Sequence, residues 1–189
     1  MSIAIFFMKK YKIGGFRTMY DGGFLAIKQR DIIFKNGDKR IFEYCVRPDS
    51  VTILPFDEKG RLLLIREFRY ESGKYVWFLP AGSVDKGEKP ALAAKRELQE
   101  ETGFGARKWR KIFCRSSGSN FILWHVHVFV AKDLFVSKKD GDEEFPIEVV
   151  PTSLKKAVKM ALDGTIENEF IAYHIIRLNE MLKSGELEW

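Results

Sequence analysis

Glu97, Glu100 and Glu101 fall at i, i+3 and i+4. On a helix that spacing gathers three carboxylates on one side. Neighbouring carboxylates repel, and a cation or basic partners must offset that cost. Hard oxygen donors at close quarters suit Mg²⁺, with Mn²⁺ possible. Mg²⁺ keeps waters and accepts phosphate oxygens into its shell, so a phosphate ester is the guest such a face would hold. Read alone, the three glutamates describe a solvated helix face at least as well, with Arg96 pairing Glu100 across one turn.

A helix over Lys89 to Thr102 must carry these groups. Pro90 suits its first turn and Gly103 the position just past its end. Ala91, Ala94 and Leu98 form an adjoining stripe that can pack inward. Upstream, strands are expected at 50–56, 61–68 and 75–79, the first two joined by Asp57-Glu58-Lys59-Gly60. Downstream come strands at 106–115 and 121–131, a charged loop from Ser137 to Glu144, and a strand near 147–151. Two helices close the chain. One is capped by Thr152 or Ser153 and stops near Asp163-Gly164; the other runs from about Glu167 to Lys183. Residues 16–46 alternate apolar runs with Asp21-Gly22-Gly23 and Asn36-Gly37-Asp38, the marks of a small antiparallel sheet. The apolar opening before Met8 reads as an edge strand or an upstream extension. The order of strands, helix, strands and helices implies an α/β fold in mixed layers, with residues 1–47 as an N-terminal β-sheet region and 48–189 as the main domain.

At 189 residues and 46% apolar, the chain can build a real core. Cys45 and Cys114 lie far apart and lack metal-ligand spacing, which argues against a disulfide framework or zinc site and fits a reducing cytoplasm. No stretch has the length of a membrane helix or the order of a signal peptide. The net charge of +6 would attract polyanions. The lysines are scattered, in pairs such as Lys138-Lys139, and no nucleic-acid module is recognisable. A small phosphate-bearing substrate is the expected partner, without membrane or nucleic acid. His125 and His127 alternate on an apolar strand, so both side chains share one face; a half-buried strand with polar partners explains them better than a metal pair. Trp77, Trp109 and Trp124 read as core or interface residues.

Residues 82–104, GSVDKGEKPALAAKRELQEETGF, meet every fixed place of Gly-x5-Glu-x7-Arg-Glu-apolar-x-Glu-Glu-x-Gly-apolar. Gly82, Glu88, Arg96, Glu97, Leu98, Glu100, Glu101, Gly103 and Phe104 supply them. Chance would produce such a match on the order of 10⁻⁹ times per start point. The segment resembles the signature of the Nudix hydrolases. That resemblance implies an α/β/α sandwich with a mixed sheet, metals on the glutamate face and hydrolytic substitution at phosphorus. It makes Glu97 and Glu101 the main metal ligands. Glu100 would join a further metal, and the Ala81 carbonyl would be an additional ligand. Gly82, Glu88, Arg96 and Gly103 would brace the loop and helix.

Within that family, Leu79-Pro80-Ala81-Gly82 and Phe68-Arg69-Tyr70 resemble the ADP-ribose pyrophosphatase branch. The resemblance makes Arg69, then Arg66, the candidates for substrate phosphate; either could also be an ordinary exposed strand arginine. The N-terminal sheet is similar to one through which members dimerise, so a homodimer is expected. Phe24 stands near an adenine-stacking aromatic, although a buried ring is its ordinary reading. Glu43 fits an Arg-Glu pattern whose arginine is Phe42 here. Glu143 and Glu144 are candidate general bases in the acidic loop, with Glu100 within the signature as the other candidate. Ser116-Ser117-Gly118-Ser119 lacks the proline of many ADP-ribose hydrolases, which keeps GDP-mannose, other nucleotide sugars and dinucleotides open as substrates. A non-catalytic nucleotide-binding module or an RNA-directed protein would be alternatives of another class; the complete carboxylate set speaks against the first.

Overall fold

Glycine-marked turns and alternating apolar residues fold the first part of the chain as an antiparallel sheet, and longer apolar runs supply the strands of the rest. The computed structural model describes residues 11–141 and 144–188. In chain order the elements are β1 (Tyr11–Ile13), β2 (Arg17–Asp21), β3 (Ala26–Phe34), β4 (Lys39–Val46), β5 (Ser50–Pro55), β6 (Leu62–Arg69), β7 (Lys74–Phe78), β8 (Ala81–Ser83), α1 (Pro90–Thr102), β9 (Phe104–Ser116), β10 (Ile122–Leu123), β11 (His125–Val136), β12 (Glu148–Thr152), α2 (Leu154–Leu162) and α3 (Glu169–Lys183). The expected mixed α/β architecture is present. The opening expected before Met8 lies outside the described residues. No described helix is long and apolar enough to cross a membrane.

The chain divides into two units, one of residues up to Pro48 with Arg115–His125, the other of the remainder. In the first, β3 pairs antiparallel with β4 along one edge and with β1 and β2 along the other. The β3–β4 hairpin closes through the Phe34 N–H donating to the Asp38 carbonyl at 2.8 Å. Gly37 takes the left-handed conformation there, φ 89°, which explains the Asn-Gly signal. The two-residue β10 returns to this unit and pairs parallel with β4, Ile122 opposite Cys45.

In the second unit the strand order of one sheet is β8-β5-β11-β9, and of another β12-β6-β7. β5 and β11 run parallel at the centre of the first. A strand buried on both faces reads as a nearly continuous apolar run, as Val51 to Pro55 does with Thr52 its polar residue. Val51, Ile53, Phe129 and Ala131 pack with Ala93, Ala94 and Leu98 of α1. Alternate residues Leu54, Val128 and Val130 face away and are equally buried. Phe113 of β9 meets α3, its ring 6.4 Å from Tyr173 and 5.6 Å from His174.

The inward stripe of α1 differs from the expected one at its start. Ala91 is exposed and Ala93 is buried. The buried face is rotated toward Glu97 and Glu101, which turn inward because backbone and guanidinium partners await them there. α2 starts at the Ser153 cap, whose hydroxyl accepts the Lys156 N–H. α3 starts from Asn168, not Glu167, because the Asn168 side chain accepts the Ile171 N–H.

Candidate active site

The loop before α1, the helix itself and the turn after it place the acidic groups. Lys89 precedes the helix without a side-chain cap, and Pro90 occupies the first turn, where a missing N–H costs nothing. Gly103 ends the helix at φ 75°, with its N–H returning to the Gln99 carbonyl. Glu97 and Glu101 are each only 9% exposed. A Cβ on Gly82 would run into the Glu97 carboxylate. The glycine therefore makes the room in which that carboxylate lies.

Arg96 organises the group. Its Nη1 donates to Glu97 Oε1 at 2.7 Å and Glu100 Oε2 at 3.1 Å. Its Nη2 donates to Glu88 Oε2 at 3.0 Å and the Ser83 carbonyl at 2.9 Å. One guanidinium thus offsets the mutual repulsion of three carboxylates, and the bond to Glu88 holds it firmly protonated. The same bond holds the Glu88 carboxyl below its usual 4.5, helped by the Asp85 N–H and opposed by burial. Because the folded value is the lower one, the pair stabilises fully above the unfolded value and loses that contribution as pH falls through the folded value. Arg96→Met strips the carboxylates of their counter-charge in a half-buried setting and should cost about 3 kcal/mol near neutral pH. Urea titrations on both sides of about pH 4 should show a smaller acid loss in the variant than in the wild type, because the depressed Glu88 value is gone. Equal slopes would contradict this role.

Ala81 faces the end of α1. The Ile53 N–H donates to the Pro80 carbonyl and the Val84 N–H to the Asp49 carbonyl, each at 2.8 Å. Ala81 lies at the alternate position of this antiparallel ladder, so its own N–H and carbonyl turn away from β5. Its N–H donates to Glu101 Oε2 at 2.9 Å. Two nearly buried carboxylates, a third beside them and an outward-turned peptide carbonyl make a donor set of hard oxygens. That chemistry fits a divalent cation such as Mg²⁺. Among the described residues no three His, Cys, Asp or Glu side chains already surround one point; Arg96 and the Ala81 N–H engage the carboxylates instead.

The other candidates are placed as follows. Arg69 pairs with Glu67 at 3.0 Å, its guanidinium 4.6 Å from the Phe78 ring centre. Arg66 pairs with Glu148 at 2.8 Å and lies 5.5 Å from the rings of Tyr75 and Trp77. Glu144 accepts the Tyr70 hydroxyl at 2.7 Å. Glu143 lies outside the described residues. In the first unit, Glu43 accepts the Gln29 amide at 2.9 Å. The ordinary reading of Phe24 as a buried ring is overturned: it is 55% exposed. Arg47 covers one face of it at 4.9 Å while stacking on Trp124 at 4.7 Å, so this ring is kept in place by a cation and not by a core. His127 is half-buried, bonded to Asp49 at 3.2 Å and Lys111 at 2.9 Å, whereas His125 is exposed. Trp109 packs on the α1 core and Trp77 serves as a stacking face. The sequence names Tyr70 only within Phe68-Arg69-Tyr70, and Phe145 carries no expected role. Their rings gather with Phe68 and Tyr75, and only the opposition of Phe68 to Tyr75 across the β6–β7 pair could have signalled it.

A protein-family model described as the NUDIX domain matches residues 46–184. The ADP-ribose pyrophosphatase of Bacillus subtilis (strain 168) is 31% identical over 170 residues, 88% of this chain and 92% of the relative. The ADP compounds hydrolase of Escherichia coli (strain K12) is 31% identical over 179 residues, 93% of this chain and 95% of the relative. A crystal structure of an ADP compounds hydrolase superposes with a TM-score of 0.80 at 28% identity, covering 94% of this chain and 96% of that one.

Proposed function

The chain belongs to the Nudix hydrolases and resembles the ADP-ribose pyrophosphatase branch, and on that premise we propose that it cleaves ADP-ribose to AMP and ribose 5-phosphate with Mg²⁺. The observation that carries this reading is the gathering of Glu97 and Glu100 on Arg96 and of Glu101 on the Ala81 N–H. Glu97, Glu101 and that carbonyl would hold the ion, with Glu100 serving a further one. Bound there, a divalent ion supplies charge neutralisation at the pyrophosphate and acidifies the attacking water. Arg96 and Glu88 keep the carboxylates aligned. Arg69 and Arg66 are the assigned phosphate contacts, and both arginines sit on β6 or its end. A glutamate takes the proton from water as its oxygen attacks phosphorus and the bridging P–O bond breaks. Glu144, Glu143 and Glu100 are the candidates, and single Gln variants separate them. Phe24 enters as an adenine-stacking candidate and Glu43 as a substrate-binding candidate, an exposed ring and an exposed carboxylate. Cys45 and Cys114 are free thiols, in keeping with a proposed cytoplasmic setting.

The decisive experiment offers ADP-ribose, GDP-mannose and dinucleotides with Mg²⁺ or EDTA and reads product phosphate after a phosphatase. Metal-dependent turnover of ADP-ribose is expected. The Ser116–Ser119 stretch without proline favours one second reading, a nucleotide sugar such as GDP-mannose; preferential turnover of that substrate would move the assignment there. No turnover of any of them would remove the reading. We also propose a homodimer through the sheet of the first unit. Met19, Tyr20, Ile41 and Phe42 are exposed there, large apolar side chains that a subunit contact would cover. Light scattering at micromolar concentration should give twice the chain mass, and a monomeric mass would refute the assembly.

A further inference from the structure

The second unit holds a cavity of about 500 Å³ lined by Glu100, Glu101, Lys138, Lys139, Phe145 and Ile147, among others. Its walls are anchored at both ends. On one side the Ser137 N–H donates to the Gly103 carbonyl at 2.9 Å, and the Gln99 amide donates to Ser137 Oγ at 2.6 Å. This ties the lysine-bearing segment to the last turn of α1. On the other side Phe145 stacks on Phe68 with centroids 4.4 Å apart, and the Tyr75 hydroxyl donates to the Pro146 carbonyl at 3.2 Å. Acidic and basic groups thus meet an apolar wall in one fixed recess.

The charges in that recess are unevenly matched. Glu100 is engaged by Arg96 and Glu101 by the Ala81 N–H. Lys138 and Lys139 are adjacent like charges, and among the described residues neither forms an ion pair, with Asp140 or any other carboxylate. Two neighbouring ammonium groups on flexible stems attract an external anion. Phe145, Pro146 and Ile147 give the recess an apolar wall beside them. The same wall suits the C–H face of a sugar ring, while the polar side can bond hydroxyls.

We propose that this cavity is the subsite for the phosphorylated-sugar half of the substrate, with Lys138 and Lys139 as its anion-binding residues. The proposal deepens the pyrophosphatase reading and rests on it: the nucleoside-side phosphate of the pyrophosphate lies at the glutamate face, the sugar-side phosphate of the same pyrophosphate meets the lysines, and its sugar ring extends along the apolar wall.

The test compares wild type with a Lys138→Met/Lys139→Met variant and a Lys138→Arg/Lys139→Arg variant. Calorimetry with Mg²⁺ measures ribose 5-phosphate and AMP separately, since neither is turned over. The Met pair should weaken ribose 5-phosphate binding about tenfold or more while AMP affinity stays within about twofold. The Arg pair should restore it. In turnover, the Met pair should raise KM for ADP-ribose about tenfold and leave kcat within about threefold. An equal loss for AMP, an unchanged affinity for ribose 5-phosphate, or a wild type that does not bind it would overturn the subsite. Failure of the pyrophosphatase reading is seen independently, as a wild type that binds ribose 5-phosphate through the lysines yet hydrolyses no nucleotide sugar.

Discussion

Glu101→Gln should lower kcat about a thousandfold or more at saturating Mg²⁺ while the protein stays folded. The amide oxygen can still accept the Ala81 N–H, which Glu101 Oε2 now takes at 2.9 Å. The local link between β8 and α1 therefore survives. What changes is the other oxygen, replaced by an NH₂ that donates where a cation needs an acceptor, and the charge itself. Losing an outer partner of a metal ligand costs about 10–100-fold in affinity or activity, and losing a ligand should cost more. Stopped assays at rising Mg²⁺, with circular dichroism as the fold control, measure this. Turnover within about tenfold of wild type would remove Glu101 from the ligand set.

Gly82→Ala should damage stability and turnover together. The added Cβ falls on the Glu97 carboxylate. That carboxylate cannot step aside freely, because Arg96 Nη1 holds it at 2.7 Å and the helix behind it is packed through Ala93, Ala94 and Leu98. Overpacking of this kind costs about 1–3 kcal/mol. A displacement of about 1 Å in a reacting constellation costs about a hundredfold in rate. Urea unfolding and kcat measured on the same sample decide it; a variant normal in both would show that Glu97 can yield despite the Arg96 bond. The effect is one of space, so Gly82→Ser should be at least as severe.

How much of this could be read beforehand depended on how local each signal was. The helix carrying the glutamates was legible because its proline start, glycine end and i, i+3, i+4 spacing all fall within residues 89–103. The strands of the second unit were legible from apolar runs, and their ends moved by a residue or two where turns decided them. The face of α1 differs from the expected stripe at its first residue, Ala93 taking the buried place of Ala91. Periodicity ranked Ala91 with Ala94, but the neighbours of Glu97 and Glu101 set the rotation, and those come from β8 and Arg96. Phe24 was misjudged because its partner Arg47 is distant in sequence. The lysines of the recess looked like any surface pair. Only their tie to Gly103 and Gln99 brings them beside the glutamates.

The parallel pairing of Ile122 with Cys45 sets a timetable for synthesis. The amino-terminal unit leaves the ribosome first, yet its sheet cannot be finished until the whole signature helix and β9 have followed it out. Until then the Cys45–Val46 end of β4 presents an unpaired edge, the kind of surface that invites the wrong strand. Closing so long a loop carries its entropy cost before the contact rewards it. The nascent chain should therefore resist protease in two stages, with the end of β4 at Cys45 and Val46 protected only in the second, and a fragment cut after Pro48 should associate or aggregate instead of standing alone.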